Sequence, residues 1–316
     1  MERSNREIEV LRTALLAPVA EALQTTVEPR RIAYLHEPKP VDDDPAKLLV
    51  SDAAGRPAAV VLVATPSAPD LVERGMQRAR DARCQIGEQL GRMILSPLAE
   101  GRMEGRSYCV LPYRRPLDAG RFSRRYWVMV LGRRIFEWLG NVVRVTVSEA
   151  TPEERESLFA QPLRRVAEAA HLGAALRDAA TLAHADLTSG AFAPRVVLMH
   201  GDLWTGNLLL GSERPLPFTR GGSAPFHVID WPGARGRGHA IYDIVRLSDS
   251  MGATHKQLRD QIELHCAELD CEPAHAMAHL AAGLGHLGMN LGAFPAERYA
   301  ALATRCHLRL ASALAA

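Results

Sequence analysis

Ile8, Leu11, Leu15, Val19 and Leu23 recur at the spacing of one helix face, so the chain is predicted to open on an amphipathic helix over residues 6–24. The period then changes. Arg31–Leu35, Lys47–Val50 and Ala58–Val63 are short runs rich in β-branched and apolar residues, separated by clusters of Pro, Asp and Gly. The turn Ala53-Ala-Gly-Arg-Pro57 predicts an antiparallel hairpin between the last two runs. Ser67 and Asp70 form a capping-box-like start for a helix over residues 69–90. Arg92–Ser96 and Ser107–Leu111 are two further candidate strands. Strands interrupted by one helix make a small α+β lobe.

From about residue 117 the pattern is mostly helical, with candidates at 118–140, 152–158, 161–186, 241–250, 255–270 and 273–292. Three short strand candidates break it: Val196–Met199, Leu208–Leu210 and Phe226–Ile229. Residues 211–225, rich in Gly, Pro and Ser, read as a surface loop. The expected fold class is therefore α+β with two lobes. A small β-rich lobe with a leading helix spans residues 1–112, and a larger, mainly helical lobe spans residues 113–316.

A length of 316 residues is enough for two lobes with buried cores. The 47% hydrophobic and 23% charged residues are those of a soluble globular protein. A net charge of +2 argues against nucleic acid or an anionic membrane as the main partner. Five scattered cysteines argue against a disulfide framework. The N-terminus lacks a signal-peptide core, and no apolar run approaches the roughly 20 residues of a membrane span. A cytoplasmic location is expected.

One segment carries chemistry: His200-Gly-Asp-Leu-Trp-Thr-Gly-Asn207, set between two apolar runs. Asp230 follows 23 residues later, at the end of a predicted strand. The spacing His-x-Asp-x4-Asn, then a strand-terminal Asp, is that of a kinase catalytic loop and its metal-binding Asp. Phosphoryl transfer between two oxygens needs a carboxylate near the accepting hydroxyl, which Asp202 can supply. It also needs Mg²⁺ on the phosphates, and the Asn207 amide and Asp230 carboxylate are the hard oxygen donors that ion prefers.

The segment resembles the aminoglycoside phosphotransferase and choline kinase superfamily, small-molecule kinases with a protein-kinase-like fold. That family carries His-Gly-Asp-x4-Asn, then Ile-Asp-[Trp/Phe], then a helix bearing another Asp, here Tyr242-Asp243-Ile-Val. His200-Gly-Asp-Leu-Trp204, with Gly238-His239 before Asp243, is also similar to the fructosamine kinases. The resemblance implies an ATP- and Mg²⁺-dependent enzyme that phosphorylates a small-molecule hydroxyl, on a sugar, aminosugar, aminoglycoside-like compound or related metabolite. It implies Asp202 as catalytic base and Asn207 and Asp230 as magnesium ligands. His200 and Asp243 would brace the catalytic loop. Ser107–Tyr113, with Leu111 and Tyr113, fits the strand and hinge against which adenine lies.

Two departures from protein kinases favour a small acceptor. Gly201 stands where an Arg would read a phosphorylated activation loop, and only 12 residues separate Asp230 from Asp243. A third departure concerns the nucleotide. The predicted third strand, Ala58–Ala64, carries no lysine, and Glu37–Pro45 stands in place of a Gly-rich loop. Lys47, one of only three lysines, is the candidate replacement for holding the ATP phosphates. The alternative from another class is a pseudokinase that senses nucleotide or serves only as an interaction protein.

Other clusters read as packing or solvated surface. His265, Cys266, Cys271, His275 and His279 have spacings too short for a zinc finger. Arg121, Arg124, Arg125, Arg133 and Arg134 fit an exposed helix face. Arg235 and Arg237 follow the metal Asp and fit either a phosphate contact or a surface turn. Seven acids between residues 243 and 272 give a faint hint of a cationic acceptor.

Overall fold

The computed structural model describes residues 2–36, 44–211, 224–292 and 294–316. The first elements are α1 (Glu2–Leu23), β1 (Ile32–Tyr34), β2 (Ala46–Ser51), β3 (Pro57–Val63), α2 (Leu71–Gly91), β4 (Ala99–Met103) and β5 (Arg106–Pro112). Then come α3 (Arg121–Thr146), β6 (Ser148–Glu149), α4 (Pro152–Glu154), α5 (Gln161–Glu168), α6 (Ala174–Ser189) and β7 (Arg195–Met199). The rest are β8 (Leu208–Leu210), β9 (Phe226–Val228), β10 (Arg235–Gly238), α7 (Ala240–Met251), α8 (His255–Glu268), α9 (Ala276–Met289) and α10 (Ala296–Leu314). They form an α+β fold. The described residues fall into two compact units, one within residues 1–80, 93–115 and 209–232, the other within 81–92, 116–208 and 233–316.

The first unit is built on an antiparallel sheet in the order β1-β2-β3-β5-β4. Alternation along its strands sorts side chains to two faces. Leu48, Val50, Ala59, Val61, Val63 and Val110 bury one face against the Ile8, Leu11, Leu15 and Val19 stripe of α1. Each fully buried leucine there contributes roughly 1.5–3 kcal/mol. The opposite face carries Leu62, Cys109 and Leu111, packed with Leu71, Val72 and Met76 of α2 and with Leu209 and Ile229.

Residues 92–96 are not a strand. Ile94 makes a single parallel bridge to Val228, with Val228 N–H donating to Met93 O and Leu95 N–H to Val228 O. The fifth strand of the sheet is instead β4, whose Glu100, Gly101 and Arg102 hid it from a hydrophobic pattern. A polar composition suits an edge strand. Gly101 leaves room for the Tyr108 ring, whose hydroxyl a Cβ would meet at 2.8 Å.

The second unit is helical around a three-stranded sheet in the order β10-β7-β6. α7 is buried nearly all round and forms its centre. The predicted helix 161–186 is two helices, α5 and α6, separated at residues 169–173, where Ala169 turns extended and Gly173 caps the next. α10 had no place in the sequence reading. It buries Tyr299, Leu302, Ala303, Cys306, His307, Leu310 and Ala313, a helical stripe packed on α7, α8 and α9. All five cysteines are free thiols. Among the described residues no helix is long and apolar enough to cross a membrane.

Candidate active site

β7 leads directly into His200, and the loop that follows hangs on one stripe of α7. The Asp243 carboxylate accepts the His200 N–H at 2.6 Å and the Gly201 N–H at 3.0 Å. One turn on, Arg246 Nη2 donates to Asp202 Oδ1 at 3.0 Å. One turn further, Ser250 Oγ accepts the Thr205 N–H at 3.1 Å. Residues i, i+3 and i+7 share a helix face, so a single helix fixes the loop at three points. Gly201 has φ +85, and a Cβ on it would meet the Gly233 carbonyl oxygen at 2.7 Å, so a side chain is excluded there. Gly206 leaves room for the Trp204 ring, whose nearest atom a Cβ would meet at 2.3 Å.

Asp202 is the half-open member of the loop, with a side chain 50% exposed. Its Oδ2 accepts from Asn207 Nδ2 at 3.2 Å, and its carbonyl oxygen accepts from the same nitrogen at 2.8 Å. With Nδ2 committed to these two acceptors, Asn207 Oδ1 is the amide atom suited to a hard cation. His200 is buried, and its Nδ1 accepts the Asp202 N–H at 3.3 Å. Burial raises the pKa of Asp243, while the His200 imidazole and the two amide donors oppose that rise. Desolvation works against the Arg246 charge, but Tyr242 and Asp202 outweigh it and the guanidinium pKa is raised.

Asp230, Leu111, Tyr113 and Lys47 belong to the first unit. β9 ends at Val228, so Asp230 lies two residues beyond the strand, at φ +68, a conformation uncommon for Asp. Trp231 anchors the turn, being buried with Nε1 donating to Val228 O at 3.3 Å. Ile229 packs on the Leu111 side of the sheet. Lys47 pairs in register with Leu62 and thence Cys109, which places it on that same side. Its ammonium is 3.0 Å from Asp44 Oδ1, and the side chain is 40% exposed. Tyr113 continues the strand pairing, its N–H donating to Ala58 O at 3.0 Å and its carbonyl accepting from Arg114 Nη1 at 3.0 Å. β3 contains no basic residue. Of the Glu37–Pro45 stretch only Asp44 and Pro45 are described, and the predicted loop 211–225 lies mostly outside the described residues.

No family model matches the sequence, and no curated protein matches it. Solved structures do. A thermostable mutant of the aminoglycoside phosphotransferase APH(4)-Ia is 16% identical, covering 94% of this chain and 98% of its own, with TM-score 0.51. A choline/ethanolamine kinase family protein from Mesorhizobium loti is 14% identical over 97% and 98%, also at 0.51. A Haemophilus somnus protein described as a fructosamine-3-kinase is 13% identical over 94% and 97%, again at 0.51. The chain has the kinase-like fold of these proteins. The expected resemblance thus holds at the level of the fold along nearly the whole chain.

Within this kinase-like fold, several sequence candidates have other partners. Arg237 is bound to Glu154, to Ser148 Oγ at 2.7 Å and to Glu149 O at 2.8 Å, so it ties β10 to β6 and α4. That contact holds the Glu154 carboxyl down at about 2. Cys266 and Cys271 abut, and His279 lies beside Cys271, packed edge-on against Phe159 and Phe192. Among the described residues no three His, Cys, Asp or Glu are arranged to hold a metal. Five of the seven acids between 243 and 272 are ion-paired: Asp249 with Arg305, Asp260 with Lys256, Glu263 with Arg259, Glu268 with Arg144 and Asp270 with Arg195. Sequence reading missed Arg246 and Ser250. Their signal was present as polar residues at i+3 and i+7 from Asp243 in a largely apolar helix, though Ser248 and Asp249 are polar there as well.

Proposed function

We propose that the protein is an MgATP-dependent phosphotransferase acting on a hydroxyl of a small molecule, with a sugar, aminosugar or related metabolite as the acceptor class. The observation that carries this reading is the Asp202 carboxylate, half open to solvent yet held on one oxygen by Arg246 and on the other by Asn207. In the proposed reaction the acceptor hydroxyl gives its proton to Asp202. Its oxygen bonds to the γ-phosphorus as the bond to the bridging oxygen breaks, and ADP leaves.

Asn207 Oδ1 and the Asp230 carboxylate are each hard oxygen donors of the type Mg²⁺ takes and are its proposed ligands, and the ion would neutralise phosphate charge when bound. His200 supports the loop as an acceptor for the Asp202 amide. The Leu111–Tyr113 end of β5 is the proposed adenine edge, and Lys47 the proposed phosphate cation. Small acceptors are favoured because residues 235–238 between Asp230 and Asp243 are committed to β10, paired with β7. That leaves no segment long enough to present a peptide.

The test is acceptor-dependent ADP release from MgATP across aminosugars, choline-like amines and glycated amines, with a metal-free control. Release that requires both an acceptor and Mg²⁺ supports the reading. Nucleotide binding without release across the panel points to a pseudokinase.

A further inference from the structure

We propose that Arg246 is a positioning residue for Asp202, holding its carboxylate in the orientation that receives the acceptor proton. This rests on the reading of Asp202 as base. The pair is asymmetric: the Arg246 side chain is 14% exposed, whereas that of Asp202 is 50% exposed. A carboxylate so open to water would ordinarily turn about its terminal torsion, which is broad for Asp. Here Arg246 Nη2 fixes Oδ1 at 3.0 Å and Asn207 Nδ2 fixes Oδ2 at 3.2 Å, so neither oxygen is left to choose.

The guanidinium is itself immobilised. It projects from the buried helix α7, one turn after Asp243 has anchored the same loop, and its Nε is buried without a hydrogen-bond partner. A buried cation demands an anion, and Asp202 is the carboxylate that meets it. Only one of the guanidinium nitrogens touches the carboxylate, and each carboxylate oxygen keeps lone-pair capacity for an acceptor hydroxyl. The arrangement orients the base without closing it. Proton transfer then turns Asp202 into the neutral acid while Arg246 keeps its charge and its place.

The test is a kinetic cycle in the full chain with wild type, Arg246→Ala, Asp202→Asn and the double variant. Each is assayed for ADP release from MgATP, with the best acceptor of the panel or with water as acceptor. Arg246→Ala should lower kcat about tenfold to a hundredfold, the size expected for a misplaced catalytic group, with the KM for ATP within about twofold. Added to Asp202→Asn, it should cost nothing further in kcat, because the group it acts through is already gone. Should Arg246→Ala fail to fold, Arg246→Lys keeps the buried charge, shifts the donor, and enters the same cycle. Losses that add in the double variant would overturn the inference while leaving the Asp202 reading in place. A wild-type protein that releases no ADP with any acceptor or with water would overturn both.

Discussion

Asp243 accepts the backbone N–H of His200 at 2.6 Å while its other oxygen takes the N–H of Gly201 at 3.0 Å. A fully buried carboxylate is therefore committed to the main chain, two residues before the proposed base. Helix and loop form one rigid piece through this contact, and Arg246 and Ser250 extend it along the same face.

Asp243→Asn tests that contact. An amide can offer its oxygen to one donor, but its NH₂ group then faces the other. One buried N–H is left without an acceptor, at a cost of about 1–3 kcal/mol. Urea denaturation should show this loss, together with lower turnover as the loop loosens. Unchanged stability would mean that the two amides find other acceptors.

Buried histidines set the response to acid. Burial holds His265 and His286 down at about 4, and pushes His239 down as well. Below the ordinary value near 6.5 the unfolded chain takes up protons that the folded chain refuses until about pH 4. Stability should therefore fall as pH drops from 6.5 towards 4, with a slope approaching about 1.4 kcal/mol per pH unit from His265 alone. Glu154, held at about 2 by Arg237, acts in a separate window and loses its contribution only below about 4.5. Urea midpoints at pH 7, 6 and 5 check the order. A flat profile over that range would contradict it.

Lys47 is the proposed substitute for the basic residue that β3 lacks. It lies on the sheet side of Leu62 and Leu111, within the same unit as Asp230. Lys47→Ala should weaken ATP binding about tenfold, the loss of one charge-assisted contact of about 1.4 kcal/mol. Isothermal titration with MgATP measures it directly. Unchanged affinity would leave Lys47 as no more than the partner of Asp44.

Sequence legibility followed the locality of the signal. The α1 stripe and the hairpin between β2 and β3 were legible because their periods are local and their turn residues explicit. The loop of the proposed base was legible because Gly201, Asp202 and Asn207 meet local demands: a left-handed turn, a carboxylate, and an amide that reaches back five residues. What escaped depended on distant partners. β4 is polar because it is an edge strand, and β10 is a run of Arg and Gly whose only strand signal is its pairing with β7. Arg237 read equally well as a phosphate ligand until Glu154, 83 residues away, supplied its partner. Arg246 was invisible as a functional residue for the same reason, since its meaning lies in Asp202, 44 residues upstream.

The most direct measurement compares Asp202→Asn with wild type for MgATP affinity and acceptor-dependent ADP release. The substitution keeps shape and removes the proton acceptor, so MgATP affinity should stay within about twofold while kcat falls at least about a hundredfold. Turnover equal to wild type would contradict the assignment of Asp202 as base.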